Sequence, residues 1–130
     1  MNSHTETVTI KAKWKSVYDF LANTANLPKW AVCFCQNIRH DGNHWIATTP
    51  GGEIKIRYDC DAKRGLIDMY DVSNTQHGNP AFTRLVPNGP EETEYIFTFF
   101  QSSEIPDAIF AEQIKGLKTE FGVLKTLMEK

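Results

Sequence analysis

The sequence has 130 residues, which suits a single domain built around one hydrophobic core. Hydrophobic residues make up 41% of the chain and charged residues 23%, a balance typical of folded proteins and not of disordered ones. The 14 basic and 16 acidic residues give a formal net charge of −2 and form no basic run, so we expect no nucleic-acid partner.

The polar N-terminus and the cysteines bear on the compartment. No apolar stretch approaches the roughly 20 residues that span a bilayer, and the segment from Met1 to Thr9 resembles no signal or transit peptide. We therefore predict a cytoplasmic protein without a transmembrane segment. Cys33, Cys35 and Cys60 are an odd number, and we expect free thiols. No further Cys or His has zinc-site spacing, so we predict neither a metal nor a cofactor.

The first part of the chain changes from strand-like to helical spacing. Apolar residues alternate from Thr5 to Lys11, which predicts a first strand. The next stretch places its apolar residues on one face of a short helix: Trp14, Val17, Tyr18 and Leu21. Pro28 interrupts the segment from Asn23 to Trp30, which we interpret as a second short helix.

Six more strands are predicted between Cys33 and Gln101. Short turn signals separate them, as in antiparallel hairpins: Asp41-Gly42-Asn43, Pro50-Gly51-Gly52, Ala62-Lys63-Arg64-Gly65, His77-Gly78-Asn79 and Pro87-Asn88-Gly89-Pro90.

A long amphipathic helix is predicted at the C-terminal end. Pro106 suits its first turn, and Asp107 favours the positive end of the helix dipole. Apolar residues then recur in steps of four and three, as an apolar stripe: Phe110, Ile114, Leu117, Phe121, Leu124 and Met128. We expect this stripe to be buried against the apolar face of the sheet.

Several segments carry a resemblance to a known superfamily: Val17–Asn23, Asn26–Ala31, Gly65–Asp68, Arg84–Gly89 and the final stretch Leu117–Glu129. With the order of elements, they resemble the START-like (SRPBCC) superfamily in its polyketide cyclase/dehydrase-like branch. The resemblance spans nearly the whole chain. It implies an α+β helix-grip fold, in which a seven-stranded antiparallel sheet curls around a long C-terminal helix, with two short helices between strands 1 and 2. The superfamily includes lipid carriers, hormone receptors and aromatase/cyclases, so the resemblance does not imply one activity.

Centring each hairpin on its turn signal predicts a polar row across one face of the sheet. The paired residues would be His40–His44, His44–Tyr58, Tyr58–Asp68, Asp68–Arg84 and Arg84–Tyr95. The same register collects an apolar set on that face: Phe34, Ile38, Ile46, Ile54, Ile56, Leu66, Tyr70, Val72, Phe82, Val86, Phe97 and Phe99. The other face of the fourth strand then carries only charged residues, which we expect in solvent: Glu53, Lys55, Arg57 and Asp59. The sequence therefore predicts an apolar cavity with a polar row inside it.

The central pair of that row, Asp68 and Arg84, has two interpretations. Buried charges are costly unless they are paired, and a cross-strand ion pair between tyrosines meets this need. The pair could anchor a carbonyl, carboxylate or phenol of a ligand, since the Arg fork suits anionic groups. Alternatively, it is a structural salt bridge that fixes the register.

The histidines and tryptophans also leave alternatives open. His40 and His44 are an acid–base pair or two exposed turn residues, and His4 and His77 carry less weight. Trp30 lines the mouth of the cavity or plugs the space under the short helices. Alternation places a further apolar group on the convex face: Trp45, Ile67, Met69, Ile96 and Phe100. Such a patch favours a homodimer contact or cover by the chain itself.

The leading functional interpretation is binding of a small hydrophobic or aromatic molecule by a single START-like domain over residues 1–130. The candidate ligand-binding residues are Trp30, Ile56, Tyr58, Asp68, Tyr70, Phe82, Arg84, Tyr95, Phe97 and Phe121. An alternative is a cofactor-free cyclase or dehydratase acting on a polyketide-like substrate, with a tyrosine or a histidine moving protons. A third is an interaction protein whose cavity is filled by its own aromatic side chains.

Overall fold

The computed structural model describes residues 2–73 and 80–130, and the predicted order of elements is confirmed there. The strands are β1 (Ser3–Ile10), β2 (Asn37–Asp41), β3 (His44–Thr49), β4 (Gly52–Asp61), β5 (Leu66–Asp71), β6 (Phe82–Pro87) and β7 (Thr93–Phe100). The helices are α1 (Trp14–Ala22), α2 (Leu27–Trp30), which follows a 3-10 turn (Thr24–Asn26), and α3 (Asp107–Met128). The predicted turn at His77-Gly78-Asn79 lies outside the described residues.

The strands form one seven-stranded antiparallel sheet in the order β1-β7-β6-β5-β4-β3-β2. Sequential hairpins build it from β2 to β7, and β1 closes it by pairing along β7. The helix α3 packs across the concave face. This is the predicted helix-grip fold.

The apolar stripe of α3 supplies much of the core. Phe110, Leu117, Phe121 and Leu124 are buried, as predicted, and α3 begins directly after Pro106. Their partners are apolar residues of the sheet and of the first short helix: Ile10, Val17, Leu21, Ile56, Ile67, Leu85 and Tyr95. Burial of this stripe stabilises the helix despite its two glycines, which have low helix propensity.

The helix α1 contacts one end of the sheet, beside the turn between β4 and β5. The indole nitrogen of Trp14 donates a hydrogen bond to the carbonyl oxygen of Leu85 over 2.9 Å. Gly65 lies at this contact with a φ of +71°, and a Cβ atom there would be 2.3 Å from the same carbonyl oxygen. Only glycine allows the turn to approach β6 so closely.

The segment before β2 was predicted as strand from Cys33, which is wrong. The amide nitrogens of Phe34 and Cys35 both donate to the carbonyl oxygen of Ala31, so the chain continues in turns beyond α2. The first residue of β2 is Asn37. The three cysteines are free, with Cys35 buried and the other two exposed.

The predicted strand register is wrong at each hairpin that the structure describes. His44 pairs with Asp41, Tyr58 with Met69, and Arg84 with both Leu66 and Ile96. The pairings therefore differ from the predicted ones by one or two residues. The reason is that a glycine in a turn does not mark its centre: β2 and β3, for example, are joined by the two residues Gly42 and Asn43.

A shift of one residue moves a side chain to the other face of the sheet. The cavity side keeps Ile54, Ile56 and Tyr58 of β4 and gains Trp45, Ile67 and Met69, which were predicted on the convex face. The convex face instead carries most of the rest of the predicted set: His44, Ile46, Leu66, Asp68, Tyr70, Phe82, Arg84 and Val86. The charged outer face of β4 is confirmed, since its four charged side chains are exposed.

Candidate functional site

A cavity of about 740 Å³ lies between the concave face of the sheet, α3 and the segment that follows α2. The sheet contributes Ile54, Ile56, Tyr58, Met69, Phe97 and Phe99; the helix contributes Ile109, Gly116, Leu117 and Glu120; and the chain around α2 contributes Leu27, Trp30, Ala31, Cys33 and Phe34. Because the aromatic residues line this space and do not fill it, the interpretation of a self-filled cavity loses its support.

The mouth of the cavity is apolar. Phe34 and Ile109 both line the cavity, yet their exposed fractions are 42% and 49%. They place the mouth between the segment after α2 and the first turns of α3. Gly116 keeps these two elements close, since a Cβ atom there would be 3.3 Å from the Cβ atom of Cys33.

Five of the predicted ligand-binding residues line the cavity: Trp30, Ile56, Tyr58, Tyr70 and Phe97. Trp30 is only 2% exposed, so it belongs to the inner wall and not to the mouth. Tyr70 reaches the edge of the cavity, while its ring lies under the guanidinium of Arg57, 5.0 Å from centroid to Cζ.

Two more predicted residues, Tyr95 and Phe121, are buried in the core behind the cavity wall. Their ring centroids are 5.3 Å apart, and Phe121 also contacts the rings of Trp30 and Phe97. These four rings form an aromatic cluster that supports the inner wall. Tyr95 and Phe121 therefore act on the shape of the cavity through Trp30 and Phe97.

The remaining three predicted residues, Asp68, Phe82 and Arg84, lie on the convex face. Asp68 is opposite Asp59, and Arg84 is opposite Leu66. The Arg84 side chain is exposed, and its Nε donates to the carbonyl oxygen of Arg64 over 3.2 Å. The predicted Asp68–Arg84 anchor inside the cavity is therefore wrong, because the register places both side chains on the other side of the sheet.

The predicted histidine pair is also separated by the register. His40 lies opposite Trp45, and their ring centroids are 4.7 Å apart, whereas His44 lies opposite Asp41 on the other face. The Nε2 atom of His4 and a carboxyl oxygen of Glu6 share a hydrogen bond of 2.7 Å on β1, beside β7. None of the histidines His4, His40 and His44 lines the cavity.

The sequence interpretation missed the most unusual residue of the site, Glu120. It is 5% exposed and lines the cavity. Its Oε2 atom accepts hydrogen bonds from the backbone nitrogens of Cys33 (3.0 Å) and Phe34 (2.9 Å). Burial raises the pKa of Glu120 to about 7, although these two hydrogen bonds partly offset the rise. The carboxyl thus holds the rim segment, which is the segment after α2 that contains Cys33 and Phe34, to α3.

A signal for Glu120 was present in the sequence. It follows Leu117 by three residues and precedes Leu124 by four, so it lies within the apolar stripe of α3. A charged residue at such a position must be buried or must disturb the packing, and it is a candidate for function in either case.

Further titratable groups lie near Glu120, either on the cavity wall or behind it. Burial raises the pKa of Tyr58 well above its usual value, and the neighbouring Tyr95 and Cys35 add to the rise. The Tyr58 hydroxyl makes no hydrogen bond to any residue that the structure describes. The Cys35 thiol donates to the carbonyl oxygen of Asn37 over 3.2 Å. Glu120 in turn raises the pKa of both Cys35 and Tyr95, after the larger effect of burial.

The Tyr95 hydroxyl is a buried polar atom that lacks a hydrogen bond of normal geometry within the described part of the chain. The Thr83 hydroxyl lies near the Tyr95 hydroxyl but donates its hydrogen bond to the carbonyl oxygen of Ile67. The cavity wall thus carries, beside Glu120, one hydroxyl with spare hydrogen-bonding capacity, that of Tyr58, whereas the Tyr95 hydroxyl lies behind the wall.

Residues 2–73 and 80–130 contain no group of three or more His, Cys, Asp or Glu side chains arranged to hold a metal ion. Across the same residues, no helix has both the length and the apolar character that a bilayer span requires.

Comparison with solved structures shows that the chain has the START-like fold. A START superfamily protein from Mycobacterium smegmatis superposes with a TM-score of 0.69 at 14% identity, covering 98% of this chain and 97% of that one. The Zhui aromatase/cyclase from a Streptomyces species is similar at a TM-score of 0.76 and 14% identity, over 98% and 93% of the two chains. The Aha1 dimer from Colwellia psychrerythraea is similar at 0.77 and 18%, over 99% and 97%. No family sequence profile and no curated protein sequence matches the chain.

Proposed function

We propose that this chain is a single ligand-binding domain over residues 1–130 that holds a small, largely apolar molecule in its cavity. The observation that carries the proposal is the open space of about 740 Å³, with largely apolar walls and a few polar groups that include Tyr58 and Glu120. Small-molecule sites typically have this size and this make-up. The likeness to an aromatase/cyclase and to a START superfamily protein supports the choice of the same cavity.

The geometry favours one orientation of such a ligand. Its apolar body would lie against Ile54, Met69 and Phe99, away from water. Its polar end would reach the Tyr58 hydroxyl and the Glu120 carboxyl, which otherwise remain without a full set of hydrogen bonds.

Two neighbouring residues of β4 provide a matched test. Ile54 lines the cavity and Lys55 is exposed on the opposite face. We expect Ile54→Trp to fill part of the cavity and to weaken binding of a hydrophobic fluorophore by about tenfold or more, since its best contacts are lost. Lys55→Trp should leave binding unchanged. Equal fluorophore affinity in the two folded variants would contradict the proposal.

Native mass spectrometry of the purified protein gives a second, independent readout. A co-purified small molecule that is present in the wild type and absent from Ile54→Trp would identify the natural ligand and its site together. A molecule retained in both variants would be bound elsewhere.

One observation favours a second candidate function, a cofactor-free cyclase or dehydratase. A carboxyl with a pKa of about 7 in an apolar cavity suits a general base that works near neutral pH. In such an enzyme Glu120 would take a proton from a carbon between two carbonyl groups, and Tyr58 would donate to a carbonyl oxygen. Incubation with a poly-β-keto thioester mimic, followed by mass spectrometry for loss of water, tests it. Unchanged turnover in Glu120→Gln would exclude this role.

Homodimerisation and a cytoplasmic location both stay predictions. The convex face carries an apolar set that differs from the predicted one, and Phe82, Ile96 and Phe100 are neighbours within it. Sedimentation equilibrium of the wild type and of Phe82→Ser tests whether this set joins two copies. Cell fractionation tests the location.

A further inference from the structure

We infer that the cavity selects molecules whose polar end is a hydrogen-bond donor, amines foremost, and rejects carboxylates. This inference rests on the proposed function and specifies its ligand class. It reverses the expectation of an arginine anchor for an anionic group, because the register removes Arg84 from the cavity.

The charges along the cavity wall carry the argument. Among the described residues that line it, the ionisable acids are Asp71, Glu112 and Glu120, and none is Lys, Arg or His. Glu120 is buried, whereas Glu112 lies two turns earlier on α3 and is exposed. The charged side chains that line the cavity are therefore all acidic among the described residues.

Three basic side chains of neighbouring elements are engaged elsewhere. Lys118 of α3 pairs with Glu6 at 3.2 Å, and Lys125 donates to the carbonyl oxygen of Thr9 at 2.9 Å. Arg57 lies on the convex face against the ring of Tyr70. These contacts draw the cations away from the cavity and leave Glu120 without a partner of opposite charge in the described part of the chain.

The arrangement of acceptors at Glu120 points the same way. Both backbone nitrogens donate to Oε2, so Oε1 receives no hydrogen bond from any described residue. The rim amides fix the orientation of the carboxyl and leave this second oxygen for a ligand. An ammonium group supplies three donors and a compensating charge.

A carboxylate in the same place would have the opposite effect. It would bring a second negative charge next to Glu120, in apolar surroundings that solvate neither. It could accept a hydrogen bond from Tyr58 alone. A neutral alcohol or phenol lies between these cases, because it can donate to Oε1 and accept from Tyr58 without changing the charge.

Three probes that share one skeleton test the inference: 1-naphthylmethylamine, 1-naphthalenemethanol and 1-naphthoate. Their affinities would be measured by isothermal titration calorimetry at about pH 8, where Glu120 is ionised because its pKa is about 7. We expect the amine to bind most tightly, the alcohol less tightly, and the naphthoate about tenfold or more below the amine.

The matched variants are Glu120→Gln and Glu91→Gln. The first removes a carboxyl from the cavity, and the second removes one from the exposed turn after β6. Glu120→Gln should abolish the preference for the amine over the naphthoate, while Glu91→Gln should keep it. If Glu120→Gln does not fold, the order of the three probes on the wild type still decides. Naphthoate binding as tightly as the amine would overturn the inference and leave the proposed function standing. Failure of all three probes to bind would count against the proposed function itself.

Discussion

Replacing Glu120 by Gln should change the pH dependence of folding stability in a predictable direction. Gln retains a side-chain oxygen that can accept the hydrogen bonds from Cys33 and Phe34, but it cannot ionise. The comparison between Glu120→Gln and the wild type therefore isolates the effect of one buried charge on the free energy of unfolding.

The sign follows from the raised pKa. Burial moves the pKa of Glu120 from 4.5 to about 7, so between these values the folded state binds more protons than the unfolded state. The contribution of Glu120 to stability is therefore fully present below about pH 4.5, falls as the pH rises, and reaches its minimum above about pH 7. At about 1.4 kcal/mol for each tenfold change in proton affinity, the total loss is about 3 kcal/mol.

The assay is urea denaturation of the wild type and of Glu120→Gln at several values between about pH 5 and pH 8. The free energy of unfolding of Glu120→Gln should rise relative to that of the wild type by up to about 3 kcal/mol across this interval. Other carboxyls such as Glu6, Glu53 and Glu129 have lowered pKa values, but they are common to both proteins and cancel in the difference.

Glu91→Gln is the control, since its side chain is exposed and its difference from the wild type should stay flat. A flat difference for Glu120→Gln as well would refute the reasoning. It would mean that the Glu120 carboxyl is as well solvated in the folded state as in the unfolded chain.

Three other changes test the packing and the register by urea denaturation. Phe121→Ala should lower the free energy of unfolding by about 3–5 kcal/mol, because it removes the centre of the aromatic cluster; a loss under about 1 kcal/mol would contradict the assigned helix face. Gly65→Ala should destabilise by more than the ~1 kcal/mol typical of point substitutions, since its Cβ atom would clash with the carbonyl oxygen of Leu85, and a neutral result would mean that the turn can move away. Asp68→Leu and Arg84→Met should have effects that add within about 0.5 kcal/mol, whereas a larger coupling would restore the predicted ion pair.

The elements were predictable because each depends on a short-range pattern. The alternation in β1, the helical spacing from Trp14 and the apolar stripe of α3 each concern residues only a few positions apart. The number and order of the elements required one apolar sheet face to pack against one long helix, and the resemblance to the START-like superfamily implied the helix-grip arrangement.

The register was not predictable in the same way, because it depends on how many residues each turn uses. The strand β5 begins at Leu66, directly after Gly65. The predicted pairing of Tyr58 with Asp68 centres this turn on Lys63, whereas the observed pairing of Tyr58 with Met69 centres it between Lys63 and Arg64. Errors of this size reverse the face of every side chain in a strand. Asp68 and Arg84 moved to the convex face for this reason, while Tyr58 remained in the cavity.

Packing alone does not explain Glu120. A helix that only covered the sheet would be better served by an apolar residue at this position, between Leu117 and Leu124, because a buried carboxylate without a cation is destabilising. The Tyr58 hydroxyl, also on the cavity wall, makes no hydrogen bond to a described residue. Two under-used polar groups on the wall of a largely apolar cavity are the arrangement expected where a ligand completes the hydrogen bonds. A bound amine should therefore raise the free energy of unfolding most above about pH 7, where the buried charge of Glu120 destabilises the wild type without ligand.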